Sequence, residues 1–215
     1  MMPSLAGKFI VLEGGEACGK STQIALLRQR IESLAMPVLS VRDPGTTGIG
    51  EHIRSILLSP DHHEMSMRCE MLLYMAARAQ MMRQSILPAL DAQFCVLCDR
   101  FVSSTLAYQS GGEGLTARDI VCIAEIAIAG RWPDLTVLLD MPPEAASQRR
   151  IGAEKDRIER RSADYHRQVR QRYLDQVDAD PKRFVVVNAA ESLERVRDAV
   201  WSALLAAFPD RDPSH

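Results

Sequence analysis

Residues 14–21, Gly14-Gly15-Glu16-Ala17-Cys18-Gly19-Lys20-Ser21, follow the spacing G-x-x-x-x-G-K-[ST], the pattern of a loop that closes its backbone around phosphate. Small residues let successive N–H groups turn inward, and a helix that begins where the loop ends adds the partial positive charge of its N-terminus. In such a loop Lys20 reaches the β- and γ-phosphates of a nucleoside triphosphate, and the Ser21 hydroxyl ligates Mg²⁺. The flanks agree, because the apolar run Phe9-Ile10-Val11-Leu12 precedes the loop and a helical stretch from Thr22 to Leu34 follows it. The expected nucleotide-binding set is therefore Gly14, Gly15, Glu16, Ala17, Cys18, Gly19, Lys20, Ser21 and Thr22.

The elements that must position this loop are legible from hydrophobic runs. Strand-like segments recur at Phe9–Leu12, Pro37–Val41, Phe94–Cys98, Leu135–Asp140 and Phe184–Val187. Helical stretches alternate with them at Ser21–Leu34, Ile49–Leu58, Glu64–Ala92 (two pieces meeting near Pro88), Val102–Gln109, Ala117–Ala129, Glu144–Arg150, Ala163–Asp178 and Ser192–Phe208. The alternation predicts an α/β fold: a five-stranded parallel sheet with helices on both faces. Ligands of such sheets sit beyond the carboxyl ends of the strands, so the junctions at Glu13-Gly14, Arg42-Asp43-Pro44-Gly45, Asp99-Arg100, Asp140 and Asn188-Ala189 should meet in one cleft.

Composition sets the outer limits. With 215 residues, 47% of them hydrophobic, the chain suits one domain, expected over 1–215 with a frayed tail at about 209–215. A formal charge of −2 and the lack of a long basic run outside Arg149 to Arg172 argue against a nucleic-acid surface. Five cysteines without framework spacing suit a reducing cytoplasm, and Cys95 and Cys98 read as core residues of a strand rather than a redox or zinc pair. No signal peptide and no apolar segment of spanning length is evident, so no membrane association is expected.

A phosphate loop does not by itself distinguish kinase, switch and motor. The fifth strand runs into Asn188-Ala189-Ala190-Glu191, where a guanine-reading switch would carry N-K-x-D. The third strand ends in Asp99-Arg100, and an arginine beside a carboxylate suits a second anionic substrate.

Several further motifs resemble those of the thymidylate kinases, particularly the bacterial members, over about residues 9–208. Arg42-Asp43-Pro44-Gly45-Thr46-Thr47 is similar to the family's R-E-P-G-G-T, and Leu73-Tyr74-Met75-Ala76-Ala77-Arg78 to its aromatic-then-arginine helix. Asp99-Arg100 with Ser103-Ser104-Thr105-Leu106-Ala107-Tyr108-Gln109 matches D-R-x-x-x-S-x-x-A-Y-Q. Pro133-Asp134-Leu135-Thr136 through Asp140 to Pro143-Glu144 matches P-D-L-T-x-x-L-D-x-x-P-E, and Asp156-Arg157-Ile158-Glu159 lies in a basic stretch like the family's lid.

The resemblance implies a P-loop nucleoside monophosphate kinase fold, transfer of the γ-phosphoryl of ATP to dTMP with Mg²⁺, and a homodimer built on the apolar helices Glu64–Arg83 and Ile120–Ala129. Another nucleotide or nucleoside kinase of the same fold, or a nucleotide-sensing module without chemistry, remains an alternative at this level. The implied dTMP set is Glu16, Pro44, Arg54, Tyr74, Arg78, Arg100, Ser104, Thr105, Tyr108 and Gln109. Within it Arg100 grips the acceptor phosphate, unless a neighbouring carboxylate claims it. Tyr74 stacks on the base and Arg78 donates to a base carbonyl, unless both serve the core. Thr105 meets the pyrimidine edge, Tyr108 crowds the 2′ position and Glu16 meets the 3′-hydroxyl. Asp99 joins Ser21 near the metal. The P-loop has Ala17 where some relatives carry a catalytic arginine, so the lid, about 149–161, must supply that charge from Arg149, Arg150, Arg157, Arg160 or Arg161. Arg150 is the closest match by position, with Arg149 beside it, and closure of the lid would expel water from the phosphoryl group. Lys20, Arg100, Arg150 and Glu16 are thus the expected catalytic residues. Asp43 and Thr46 depart from the family's Glu and second Gly, which leaves the shape of their loop open.

Overall fold

The computed structural model describes residues 3–149 and 156–210. In chain order the elements are β1 (Phe9–Glu13), α1 (Lys20–Ser33), β2 (Val38–Arg42), α2 (Gly48–Leu58), α3 (Met67–Met81), α4 (Leu87–Asp91), β3 (Cys95–Asp99) and α5 (Val102–Gln109). They continue with α6 (Ala117–Ala127), β4 (Leu135–Asp140), α7 (Pro143–Gln148), α8 (Ala163–Ala179), β5 (Phe184–Asn188) and α9 (Leu193–Ala207). The strands pair in parallel in the order β2-β3-β1-β4-β5, the five-stranded sheet the hydrophobic runs predict.

Alternate residues of β1 enter different cores. Ile10 and Leu12 pack with Ile24, Leu27 and Ile31 of α1 and Val200 and Leu204 of α9, whereas Phe9 and Val11 pack with Met71 and Met75 of α3 and Ile120 and Ala124 of α6. All five residues of β1 and of β3 are buried, as expected where helices cover both faces. Cys95 joins the first core and Cys98 the second, so the C-x-x-C thiols lie on opposite faces of the sheet and cannot share a bond or a metal. Burial pushes the Cys95 thiol up to about 12 and the Cys98 thiol upward as well, with Asp43 and Asp99 adding to the latter.

Helix ends fall within a few residues of the expected ones. Thr116 and Asp119 form the reciprocal capping box at the start of α6, and Gly130, with φ 70°, follows its end. The long segment expected to divide near Pro88 divides earlier. A π-helical turn, Met82–Ile86, separates α3 from α4, and Pro88 lies inside α4 near its start. Proline lacks an N–H and its ring crowds the carbonyl four residues back, here Gln84, so the widened turn falls where that conflict arises. The tail expected to fray from 209 is held at its start by a bridge between Pro3 and Pro209 and by Ser4 N–H donating to Phe208 O at 2.9 Å. Residues 211–215, like Arg150, Gly152 and Ala153 of the expected lid, lie outside the described residues.

Candidate functional site

The turn after β1 is set by sterics. Gly14 has φ 142°, and a Cβ there would lie 2.5 Å from Leu139 O and 2.9 Å from Cys18 Sγ. Gly19, φ 93°, caps α1 without any side-chain hydrogen bond, leaving the first amides of the helix to another acceptor. Lys20 is buried and its Nζ donates to Gly14 O at 3.1 Å and Gly15 O at 2.7 Å, so the ammonium lies inside the loop. Ser21 Oγ donates to Asp99 Oδ2 at 2.8 Å, joining the loop to the end of β3. Glu16, Ala17, Gly19, Lys20, Ser21 and Thr22 line a cleft of about 510 Å³ together with Asp99, Arg100 and Arg149. Gly14 and Cys18 are turned into the fold instead, Cys18 within the core under α1, and Gly15 borders a neighbouring cavity beside α7 and α8.

A smaller pocket of about 70 Å³ adjoins this cleft, and all ten residues of the expected acceptor set line it: Glu16, Pro44, Arg54, Tyr74, Arg78, Arg100, Ser104, Thr105, Tyr108 and Gln109. Glu16, Asp43, Arg54 and Arg100 border both spaces, so the two compartments meet there. Arg100, φ 69°, directs Nη2 to Glu16 Oε1 at 2.7 Å and Nη1 to Gly14 O at 2.9 Å, Ser104 Oγ at 3.1 Å and Tyr173 Oη at 3.3 Å. Both readings of this arginine thus have a physical counterpart: it pairs with a carboxylate and it faces both pockets. Burial raises the Glu16 carboxyl, but Arg100, then Lys20 and the donated Tyr108 hydroxyl outweigh it and hold the group at about 2.

Arg78 is placed differently. Its Nε donates to Asp43 Oδ2 at 2.5 Å and Nη2 to Phe101 O at 3.1 Å, with the side chain 1% exposed. It borders the acceptor pocket while bracing the loop after β2 against the start of α5. That loop contains a cis Asp43–Pro44 peptide and Thr46 at φ 70°, a conformation that favours glycine. Three bonds hold Thr46 there: Thr46 N–H to Glu51 Oε1 at 2.7 Å, Arg42 N–H to Thr46 Oγ1 at 2.8 Å and Thr46 Oγ1 to Arg42 O at 3.1 Å. Arg54 donates to Pro44 O at 3.0 Å and completes the loop's framework. Two buried oxygens at the pocket, Thr105 Oγ1 and Asp43 Oδ1, make no hydrogen bond among the described residues.

Three residues that sequence reasoning missed support these groups. Glu13, fully buried at the end of β1, accepts from Phe101 N–H at 2.8 Å, Ser104 N–H at 3.1 Å, Ser104 Oγ at 2.6 Å and Tyr173 Oη at 3.0 Å. Burial pushes its carboxyl above the usual range, against the Arg100 charge and these bonds. Glu13 therefore fixes the two hydroxyls, Ser104 and Tyr173, that in turn orient Arg100. Its signal was a carboxylate closing an otherwise apolar strand, whereas Tyr173 of α8 and Glu70 of α3 offered none. Glu70, also fully buried, takes Arg157 and Arg161 at 2.5 and 2.7 Å, so two of the five arginines expected to charge the lid are committed to α3. Arg149 borders the phosphate cleft, its Nη2 3.4 Å from both Ala190 O and Glu191 O.

A phosphate loop at the carboxyl edge of a parallel sheet, opening through shared arginines onto a second pocket with polar and aromatic walls, is the arrangement of a P-loop kinase. The sequence pattern of the thymidylate kinase family matches residues 12–200, and the chain belongs to that family. It is 43% identical over 203 residues to a thymidylate kinase of Symbiobacterium thermophilum, covering 94% of this chain and 95% of the relative. It is 45% identical over 201 residues to one of Pelotomaculum thermopropionicum, with 93% of each chain covered. With the Neisseria gonorrhoeae thymidylate kinase it shares 42% identity over 203 residues, 94% of this chain and 98% of that one.

Proposed function

We propose that this chain, acting as a single kinase domain, transfers the γ-phosphoryl group of ATP to the phosphate of dTMP, giving ADP and dTDP. The observation that carries the reading is the position of Arg100, which borders both the phosphate cleft and the acceptor pocket. The acceptor nucleophile is already an anionic phosphate oxygen, so the task is to hold two polyanions in line rather than to remove a proton. Two unit charges about 4 Å apart repel by roughly 4 kcal/mol at an effective dielectric of about 20. Lys20, Arg54 and Arg100 converge where that repulsion must be overcome.

In this reading Arg100 exchanges Glu16 for the acceptor phosphate, and Glu16, held ionised, turns to the sugar 3′-hydroxyl. Tyr74 faces the base and the Thr105 hydroxyl, without a partner among the described residues, bonds its edge, while Tyr108, anchored at 2.9 Å on Glu16, narrows the space for a 2′-hydroxyl. Arg149 borders the cleft from the lid side, and Arg150 is the companion expected from sequence. Ser21 and Asp99 present hard oxygen donors 2.8 Å apart at the mouth of the P-loop, a donor set that fits Mg²⁺. Among the described residues no group of three or more His, Cys, Asp or Glu could hold a metal, which suits a cation bound largely through substrate phosphates and water. Bound there, Mg²⁺ would offset charge on the β- and γ-phosphates.

Leu72 on α3 and Ile126 on α6 are 51% and 84% exposed, apolar positions consistent with a homodimer over those helices. We place the protein in the cytoplasm on its cysteine pattern, and no described helix is long and apolar enough to cross a membrane. ADP release coupled to NADH oxidation, measured with dTMP, dUMP, dCMP, AMP and thymidine as acceptors, tests the assignment. A preference for dTMP of at least tenfold in kcat/KM is expected; turnover favouring another acceptor, or none with any, would overturn it.

A further inference from the structure

Glu70 stands four residues before Tyr74 and eight before Arg78, on the same face of α3. It contributes nothing to the lining of the acceptor pocket, yet its carboxylate, 0% exposed, is the meeting point of three chain segments around that pocket. Oε1 accepts from Gln109 Nε2 at 2.7 Å, at the end of α5. Oε2 accepts from Arg157 Nη2 at 2.5 Å and Arg161 Nη2 at 2.7 Å. Arg157 is fixed at a second point, donating from its backbone N–H to Leu58 O at 3.2 Å and from Nε to Leu57 O at 2.9 Å, where α2 ends. Arg161 is fixed through Tyr165, whose hydroxyl accepts from Arg161 Nη1 at 2.5 Å and donates to Tyr108 O at 2.7 Å.

Asp156 and Ile158, which flank Arg157, face the acceptor pocket while Arg157 faces α3. One wall of the pocket is therefore held in place from behind, by a carboxylate that does not line it. We propose that Glu70 is a positioning residue for the acceptor: its charge holds the segment 156–161 and the Gln109 amide at the distances that dTMP requires. This inference rests on the dTMP reading of that pocket. A buried carboxylate with three donors is over-determined in geometry, and removing its charge leaves two guanidinium groups facing a site with too few acceptors. They then turn toward solvent and carry Asp156 and Ile158 with them. Glu70 makes no described hydrogen bond or ion pair to the P-loop, but Glu159 of the same segment lines the phosphate cleft, so donor binding should weaken far less than acceptor binding, whose pocket takes both Asp156 and Ile158.

The test uses the full chain with Glu70→Gln, which preserves shape and removes charge, and with Arg157→Gln, which preserves Glu70 and its bond to Arg161. Titration calorimetry with dTMP and, separately, ADP is compared with the KM for dTMP and for ATP. At least a tenfold rise in the dTMP Kd and KM is expected in both variants, with a rise of no more than about threefold in ADP Kd and ATP KM, since Glu159 is the one described residue of the segment that borders the phosphate cleft. The double variant should be no weaker than Glu70→Gln alone, because both act through one contact. Unchanged dTMP binding in either variant, or a parallel loss of dTMP and ADP binding, would overturn the proposal. If Glu70→Gln does not fold, Arg157→Gln decides alone by the same criteria. Wild-type protein that ignores dTMP but binds another monophosphate refutes the acceptor assignment instead, and the comparison is then made with that ligand.

Discussion

Arg78 and Arg100 each hold a carboxylate at hydrogen-bond distance on the border of the same pocket, and they differ in what surrounds the pair. The Arg78–Asp43 pair is 1% exposed on both sides, whereas Arg100 and Glu16 are 17% and 32% exposed. Arg78 also directs one donor of Nη2 to Phe101 O and one of Nη1 to the Met75 sulfur, and its guanidinium lies 5.3 Å from the Phe101 ring centre. Arg100 is oriented by neutral partners, a carbonyl and two hydroxyls, and its described ion pair is with Glu16, while Asp99 and the buried Glu13 act on its charge from further off. A guanidinium in the first setting cannot exchange partners without abandoning an anion in the dry interior. One in the second setting can. The contrast supports the proposal that two arginines with the same partner chemistry divide the work, Arg78 maintaining the pocket and Arg100 being available to a ligand.

The sharpest way to break this division is Arg78→Ala, expected to cost about 4 kcal/mol of stability in urea unfolding because Asp43 is left buried and unpaired. A loss below about 1 kcal/mol would return Arg78 to a ligand-facing role. Arg100→Ala should show the opposite profile: kcat/KM for dTMP lowered roughly 100- to 1,000-fold, about 3–4 kcal/mol, with stability changed far less. Glu16 then sharpens the electrostatics. Its folded value of about 2 lies below the ordinary 4.5, so its contribution is complete above about pH 5 and disappears as the pH falls toward 2. The stability difference between wild type and Glu16→Gln should shrink over that window by on the order of 2 kcal/mol, reduced from the full shift because Glu16 is about a third exposed. A constant difference from pH 6 to 2.5 would refute the paired geometry. The smallest effect belongs to Thr105→Val. Its hydroxyl has no described partner, so stability should stay within about 0.5 kcal/mol of wild type while the dTMP KM rises several-fold. An unchanged KM would remove Thr105 from base recognition.

The two compartments were not equally legible in the sequence. The P-loop was, because its pattern is carried by a contiguous run from the Phe9 strand to Lys20, even though Leu139 and Asp99 close against it from elsewhere in the chain. The sheet and its covering helices were legible for a related reason: buried strands and helices announce themselves by local apolar runs. The π-turn at Met82–Ile86 was not, since a proline predicts a conflict but not how the preceding helix absorbs it. In the acceptor pocket residue types were readable and partners were not. Glu13 meets Tyr173 across 160 positions, and Glu70 meets Arg157 and Arg161 across 87 and 91. The run from Arg149 to Arg161 looked like one cationic face because spacing does not reveal that two of its guanidinium groups turn inward. Only tertiary packing decides that.

The placement of Cys95 and Cys98 on opposite faces of β3 has a practical outcome. Each thiol is sealed by a different helical layer, one by α1 and α9 and the other by α3 to α6, while Cys69 and Cys122 are open to solvent. Pulsed alkylation followed by peptide mass spectrometry can therefore time the opening of the two layers independently within a single strand. Detachment of one layer ahead of the other would register as unequal labelling at sites only three residues apart.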